Sequence, residues 1–284
     1  MRFSLVLGTF GRYEELARFF ESLKVQSYKD FEVILCDQNP PEFLDNLVKK
    51  YSDYFKIKHL YCERGLSKAR NVGLRVAEGE IITFPDDDCL YPEDLLERVE
   101  RIFREYPEID GIAGRAIPLD GGKMDQRFLE RKVFVNKENV FFTVVSFTLF
   151  LKRSVVEGVG SFDKALGVGS GTPFGSGEEI DYILRALERG FKILYLPEIG
   201  VYHPSKDPFL SGYSREALKR AEAYNLGFAF LLKRYNYPLR FKLRALIWPL
   251  LGALYFALKG DFKRVKYQYY KFLGRVKGFL KNIS

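Results

Sequence analysis

Cysteine is scarce in this chain of 284 residues: Cys36, Cys62 and Cys89 are the only three. No two of them show the paired spacing of a metal site, so reduced thiols in a cytosolic setting are expected. Long hydrophobic runs are also missing. Phe3–Leu7 is too short for a signal peptide core and is followed at once by Gly-Thr-Phe-Gly-Arg. The apolar stretch Ala245–Leu258 is interrupted by Pro249 and Gly252 and falls short of the roughly 20 residues that an unbroken spanning helix needs. The Gly-rich segment 167–177 lacks the Lys-Ser/Thr ending of a phosphate loop. Acidic residues thin out late in the chain. From Pro204 onward 17 Lys and Arg stand against 4 Asp and Glu, a net +13, whereas the preceding 28 basic and 33 acidic residues give −5. A basic tail suits nucleic acid or an anionic membrane. Apolar and aromatic residues interrupt this one throughout, which speaks against nucleic acid.

What is present is a regular alternation. Phe3–Leu7, Phe31–Cys36, Ile57–Tyr61 and Ile81–Thr83 read as buried strands. Between them lie a helix with Leu16, Phe19, Phe20 and Leu23 on one face, a second over about 42–54, and a third from about Ser67 to Ala77 with Ser67 as its cap. Strand and helix in turn predict a mostly parallel sheet flanked by helices, with ligands at the carboxyl ends of the strands. Thr9, Asp37 and Asp86–Asp88 all fall there. Further on, 94–106 reads as helix, Val140–Leu151 as one or two strands and Gly158–Asp163 as a turn. A helix from Glu178 to Arg189 is closed by Gly190, and Lys192–Leu196 and Val201–Pro204 read as two short strands.

The pivotal stretch is Phe84-Pro85-Asp86-Asp87-Asp88-Cys89. Three successive carboxylates repel one another unless positive charge lies among them. A hard divalent cation with oxygen ligands, Mg²⁺ or Mn²⁺, meets that need. The plain alternative is a solvated acidic turn before a helix start. Glu178, Glu179 and Asp181 likewise suit the first turn of a helix, Arg70 a solvated helix face, and His203 a packed strand end.

Taken in order, the motifs resemble those of a glycosyltransferase of family 2, over about residues 1–205. They are Gly8-Thr9-Phe10-Gly11-Arg12, Cys36-Asp37, Ala69-Arg70-Asn71-Val72-Gly73, the Asp-x-Asp of Asp86–Asp88, Gly177-Glu178-Glu179-Ile180-Asp181 with Arg185, and His203. The resemblance implies a GT-A fold and inverting transfer of a sugar from a nucleoside diphosphate sugar, UDP- or GDP-linked, to an acceptor hydroxyl. It implies that Asp88, with Asp86 and His203, holds Mn²⁺ or Mg²⁺, which neutralises the departing diphosphate. Thr9, Arg12, Asp37, Arg70, Asp86 and Asp87 are then expected around the donor, with Asp37 accepting from the base. An inverting displacement also needs a base for the acceptor proton. The family usually has Glu-Asp where this chain has Glu178-Glu179, so Glu179 is the candidate, with Glu178 and Asp181 as alternatives. Arg185, four residues beyond Asp181, is expected to orient them.

The expected organisation is a catalytic domain over 1–205, with a nucleotide-binding half to 110 and an acceptor half from 111, and a helical region over 206–284. The Gly-rich segment reads as an acceptor-side flap and 211–235 as a helix. The basic, aromatic tail is expected to lie on the cytoplasmic face of the cell membrane, which suits a glycan or polyprenyl-linked acceptor in cell-surface polysaccharide assembly. A helical bundle packed on protein is the alternative for the tail. For the whole chain the alternatives are a sugar-phosphate nucleotidyltransferase, whose Gly-rich, Arg- and Lys-bearing loop after strand one is not found at Gly8–Arg12, and a non-catalytic membrane-associated scaffold.

Overall fold

The computed structural model describes residues 2–119, 121, 126–205 and 213–282. The chain divides into two compact units, residues 1–163 with 179–205, and residues 164–178 with 206–284.

The first unit is built on an eight-stranded sheet. Its strands are β1 (Phe3–Thr9), β2 (Phe31–Asp37), β3 (Lys56–Tyr61), β4 (Ile81–Thr83), β5 (Gly111–Pro118), β6 (Val133–Phe134), β7 (Leu149–Lys152) and β8 (Ile193–His203), in spatial order β3-β2-β1-β4-β7-β5-β8-β6. β1 pairs in parallel with β2 and β4, and β2 with β3. β7 then runs antiparallel to both β4 and β5, so the second half is mixed. β2 is buried at every position, as expected of a strand covered on both faces. The chain order reverses between β1 and β4, which opens a crevice at their carboxyl ends.

Helices α1 (Tyr13–Lys24), α2 (Asp45–Tyr51), α3 (Leu66–Leu74), α4 (Leu95–Glu105), α5 (Arg153–Val159) and α6 (Glu178–Glu188) accompany the sheet. α1 buries Leu16, Phe19, Phe20 and Leu23, the stripe its periodicity predicts. α3 starts one residue before the expected cap. Gly65, at φ 128°, supplies the N-terminal turn and donates its N–H to Gln38 Oε1, leaving Ser67 inside the helix. The expected strand over Val140–Leu151 is instead two short 3-10 turns, Val140–Phe142 and Ser146–Thr148, that lead into β7. The two short strands expected after residue 192 are one, β8. Its register against β5 slips: Ala113 faces Tyr195 but Arg115 faces Gly200. The extra length on β8 is a bulge, and it re-aims the last residues of the strand toward His203. Gly114 sits at the slip, where a Cβ would fall 2.1 Å from Ile199 O.

The second unit holds α7 (Arg215–Arg234), α8 (Leu239–Leu258) and α9 (Phe262–Leu280). Ser214 Oγ caps α7 by accepting from Ala217 N, so the helix begins later than expected; residues 211 and 212 lie outside the described residues. Gly274 and Gly278 let α9 approach α7 closely: a Cβ on them would meet Glu222 O at 2.2 Å and Leu226 O at 2.4 Å. Residues 174–177 pack on α7, with Phe174 and Phe230 rings 4.5 Å apart and Gly175 N donating to Ala223 O. That end of the Gly-rich segment is anchored, not a free flap. α8 extends six residues before the apolar stretch and passes through Pro249, giving 20 helical residues, long and apolar enough by length and composition to cross a membrane.

Gly114→Ala should push β8 off β5. We expect a loss of about 1–3 kcal/mol from overpacking, read as a lower urea midpoint at unchanged m-value. An unchanged midpoint would show that the slip tolerates a side chain.

Candidate active site

Four separate segments meet at the carboxyl end of β4. The Asp86–Asp88 stretch leaves β4 and is held beside β1 by a bridge between Gly8 and Asp86. On its far side Leu90 pairs with Tyr202, each donating its N–H to the other's carbonyl, which carries β8 and His203 alongside. His203 Nε2 thereby lies 3.0 Å from Asp88 Oδ1 and 3.9 Å from Asp86 Oδ2. Its ring stacks on Phe147 at 4.6 Å, and Nδ1 sits 2.7 Å from Pro204 O, so its plane is fixed. Asp86, Asp88 and His203 each offer a ligand atom, all within 4.8 Å of one another.

Arg12, from the turn after β1, closes the other side. Its Nη1 donates to Asp87 Oδ1 at 2.7 Å and to Asp88 Oδ2 at 2.5 Å, and Thr9 Oγ1 donates to Asp87 Oδ2 at 2.8 Å. Asp87 is thus turned toward β1, and the two oxygens of Asp88 are divided between Arg12 and His203. Burial pushes the Asp87 carboxyl up to about 6; the pull of Arg12 and the Thr9 hydrogen bond oppose the shift, and the neighbouring aspartates add to it. Burial alone would lower the Arg12 guanidinium, but the attraction of Asp87 and Asp88 outweighs it and raises it above its ordinary value.

Arg70 is not a solvated helix residue. It is 0% exposed, with Nη2 3.4 Å from Asp86 Oδ1, and its guanidinium lies 5.8 Å from the Phe84 ring and 5.6 Å from the Phe162 ring. A guanidinium tolerates such a dry place because it is weakly hydrated and stacks on aromatic faces. Asn71, next to it on α3, clasps the loop after α5: its Nδ2 donates to Phe162 O and its Oδ1 accepts from Phe162 N. Tyr182 of α6 stacks on Phe162 at 4.2 Å and donates to Gly160 O. The aromatic group Phe84, Phe162 and Tyr182 therefore ties α6 to the strand that bears the aspartates.

On α6, Asp181 is fully buried and accepts from Arg185 Nε at 2.9 Å, while Arg185 also donates to Val159 O and Ser161 O. This is the i,i+4 pair expected from the sequence. Glu178 is buried and Glu179 half-buried. Asp37 stands beside Thr9 in the β1–β2 register, yet no part of it reaches the surface. Its Oδ1 accepts from Asn39 N and Nδ2, and its Oδ2 is 2.9 Å from His59 Nε2. A base can touch Asp37 only if one of these withdraws. His59, to which the sequence assigns no role, thus positions Asp37; its place within the β3 strand pattern, between Lys58 and Leu60, offered no signal for that, whereas Asn71 was visible inside the Ala-Arg-Asn motif.

The sheet order, with an acidic group that could hold a metal at its switch point, is that of the GT-A fold. The family described as Glycosyl transferase family 2 matches residues 4–158, and the chain belongs to it. It is therefore a glycosyltransferase. It is 24% identical to the glycosyltransferase AglE of Haloferax volcanii over 226 residues, 72% of this chain and 67% of that one. It is 29% identical over 124 residues to the same organism's glucosyl-dolichyl phosphate glucuronosyltransferase, 42% of this chain and 39% of that one, so the match spans well under half of this second relative. The mannosyltransferase PcManGT of Pyrobaculum calidifontis, solved with GDP-Man and Mn²⁺, shares the fold at a TM-score of 0.66 and 16% identity, covering 98% of this chain and 87% of that one.

The raised Asp87 carboxyl makes a signed prediction. Its folded value lies above its unfolded one, so the folded protein favours the protonated form, and stability is lost as pH rises through about 6. Measured by denaturation in chelator, wild-type stability should fall relative to Asp87→Asn by about 2 kcal/mol between pH 4 and pH 7. A difference constant with pH would contradict the burial argument.

Proposed function

We propose that the chain is an inverting, metal-dependent glycosyltransferase that moves a sugar from a UDP- or GDP-linked donor to the hydroxyl of a glycan or polyprenyl-linked acceptor. The observation that carries the reading is the convergence of Asp86, Asp88 and His203. Two carboxylates and an imidazole are a donor set that fits Mn²⁺ or Mg²⁺. These three residues would hold the ion, and bound there it supplies Lewis-acid neutralisation of the leaving diphosphate.

The protein's own groups have separable tasks in this reading. Arg12 and Thr9 hold Asp87 and turn Asp88 so that Oδ1 stays beside His203. Arg70 offsets the charge of Asp86 from beneath and keeps that carboxylate in place. Donor binding then falls to the crevice lined by these side chains, with Asp37 reaching the base only after a local rearrangement. Of the three α6 carboxylates, Glu179 is the base: Asp181 is engaged with Arg185 and has no exposed surface, and Glu178 is buried, while Glu179 keeps access to an acceptor. It takes the acceptor proton as the new glycosidic bond forms on the face opposite the departing diphosphate.

Residues 1–205 form the catalytic region in this proposal and 206–284 associate with the cytoplasmic face of the cell membrane. The name of the glucuronosyltransferase relative, which carries a dolichyl phosphate, supports a lipid-linked acceptor, and the basic tail supports an anionic surface. Assembly of a cell-surface polysaccharide is the setting that follows.

Titration of UDP and GDP with and without Mn²⁺ should show affinity that depends on the metal for one of them. In Asp88→Ala that dependence should vanish; retention would remove Asp88 from the metal site. Glu179→Gln should bind the nucleotide as wild type does and lose about 10²-fold or more of transfer. Full transfer in that variant would reassign the base.

A further inference from the structure

We propose that α8 lies in the plane of an anionic lipid surface, buried to about the depth of the headgroup boundary, and does not cross the bilayer. This rests on the membrane association proposed above and specifies its geometry.

α8 has two unlike faces. Leu239, Leu243, Ile247, Leu250, Leu254 and Leu258 recur at intervals of four, four, three, four and four, which places them on one stripe of a helix. All six are exposed, Leu239 by 68% and Leu258 by 82%. Trp248, at 65% exposed, and Tyr255 flank the stripe. Ala245 and Pro249, the only buried residues of α8, lie on the other face. There α9 runs antiparallel along the helix. Arg275 donates to Ala245 O, a Cβ on Gly252 would meet the Gln268 side chain at 3.0 Å, and the Arg264 guanidinium sits 5.1 Å from the Phe256 ring. So wide an exposed apolar face on a soluble surface marks a contact with something apolar.

The same pairing decides against a spanning arrangement. If α8 stood across the bilayer, Gln268 would travel with Gly252 to its middle, and Lys271, one turn further along α9, would follow into the hydrocarbon. Polar and charged side chains resist that depth. α8 itself brings Arg240, Lys242 and Arg244 in its first two turns, which leaves Ala245–Leu258, about 21 Å of helix at 1.5 Å per residue, to cross roughly 30 Å of hydrocarbon. Lying flat, the helix buries its stripe and leaves the α9 face and the cations toward water and headgroups.

Charge complementarity selects lipid over a second copy of the chain. Arg240, Lys242 and Arg244 rim one end of the stripe, and Lys259, Lys263 and Lys266 the other; from Arg234 to Lys281 the single acidic residue is Asp261. Two copies joined face to face would bring like charges together, whereas anionic headgroups neutralise both rims.

Trp248 is the chain's one tryptophan and sits at the midpoint of α8, so native fluorescence reads its depth. The full chain is mixed with vesicles of phosphatidylcholine and phosphatidylglycerol that carry a nitroxide at acyl carbon 5 or carbon 12. The in-plane helix predicts stronger quenching from carbon 5, at least tenfold weaker partition onto vesicles without phosphatidylglycerol, and a similar loss in Ile247→Glu with UDP and GDP affinity unchanged. Stronger quenching from carbon 12 would put the helix midpoint at the bilayer centre and overturn the in-plane geometry while leaving membrane association standing. No partition onto either vesicle, with Trp248 shielded from aqueous iodide in a protein dimer, would overturn both and give the face to a second copy. Loss of nucleotide binding in the wild type would count against the catalytic reading alone.

Discussion

Mutual repulsion among Asp86, Asp87 and Asp88 is the constraint that the surrounding side chains are arranged to satisfy. Three carboxylates in succession at the end of a buried strand are tolerated because cations or protonatable groups are brought to them from elsewhere in the chain. Arg12 comes from the end of β1, Arg70 from α3 and His203 from the end of β8. Each partner takes a different oxygen, so the carboxylates are held apart in fixed directions. Asp87 faces β1, and Asp88 presents one oxygen to the guanidinium and the other to the imidazole. The direction in which each carboxylate points is thus set by the sheet, through the Gly8–Asp86 bridge and the Leu90–Tyr202 pair.

A second layer of packing supports the first. Arg70 can stand beneath Asp86 without water because Phe84 and Phe162 present ring faces to its guanidinium. Phe162 is in turn clasped by Asn71 and stacked on Tyr182. Through this cluster the position of α6, with Glu179 and the Asp181–Arg185 pair, is coupled to that of β4. Such a dense aromatic contact resists small adjustments, since close-packed interiors transmit displacement and do not absorb it. Arg70 therefore serves as both a charge partner and a packing element, which Lys at this position would not reproduce.

The first ninety residues were legible in the sequence because β1, β2 and β4 are short apolar runs soon followed by Gly, Asp or Pro, and α1 shows a clean apolar stripe. The Asp-x-Asp, Ala-Arg-Asn and Glu-Glu-x-Asp motifs marked most of the site for the same reason: they are local. What the sequence concealed is contact between distant segments. Periodicity cannot show that Arg70 is dry, that His59 reaches Asp37 from the neighbouring strand, or that Thr9 and Arg12 turn toward Asp87. Nor could it separate the 3-10 turns at 140–148 from strand, because apolar β-branched residues suit both a packed turn and a pleat. β8 read as two strands because Pro197 and Gly200 interrupt it, yet a bulge lets one strand continue through them. The length of α8 was underread because its first turns are basic, and charge does not end a helix.

The slip in β8 has a consequence for biosynthesis. The acidic cluster is complete once residue 88 has been made, but its imidazole lies more than a hundred residues later, beyond the irregular stretch of the strand. A ribosome-bound fragment folding from its amino end can assemble β1 to β4 and their helices before His203 has been made. The nascent polypeptide thus carries the three carboxylates through much of translation without the imidazole, which reaches Asp88 only when the last strand docks.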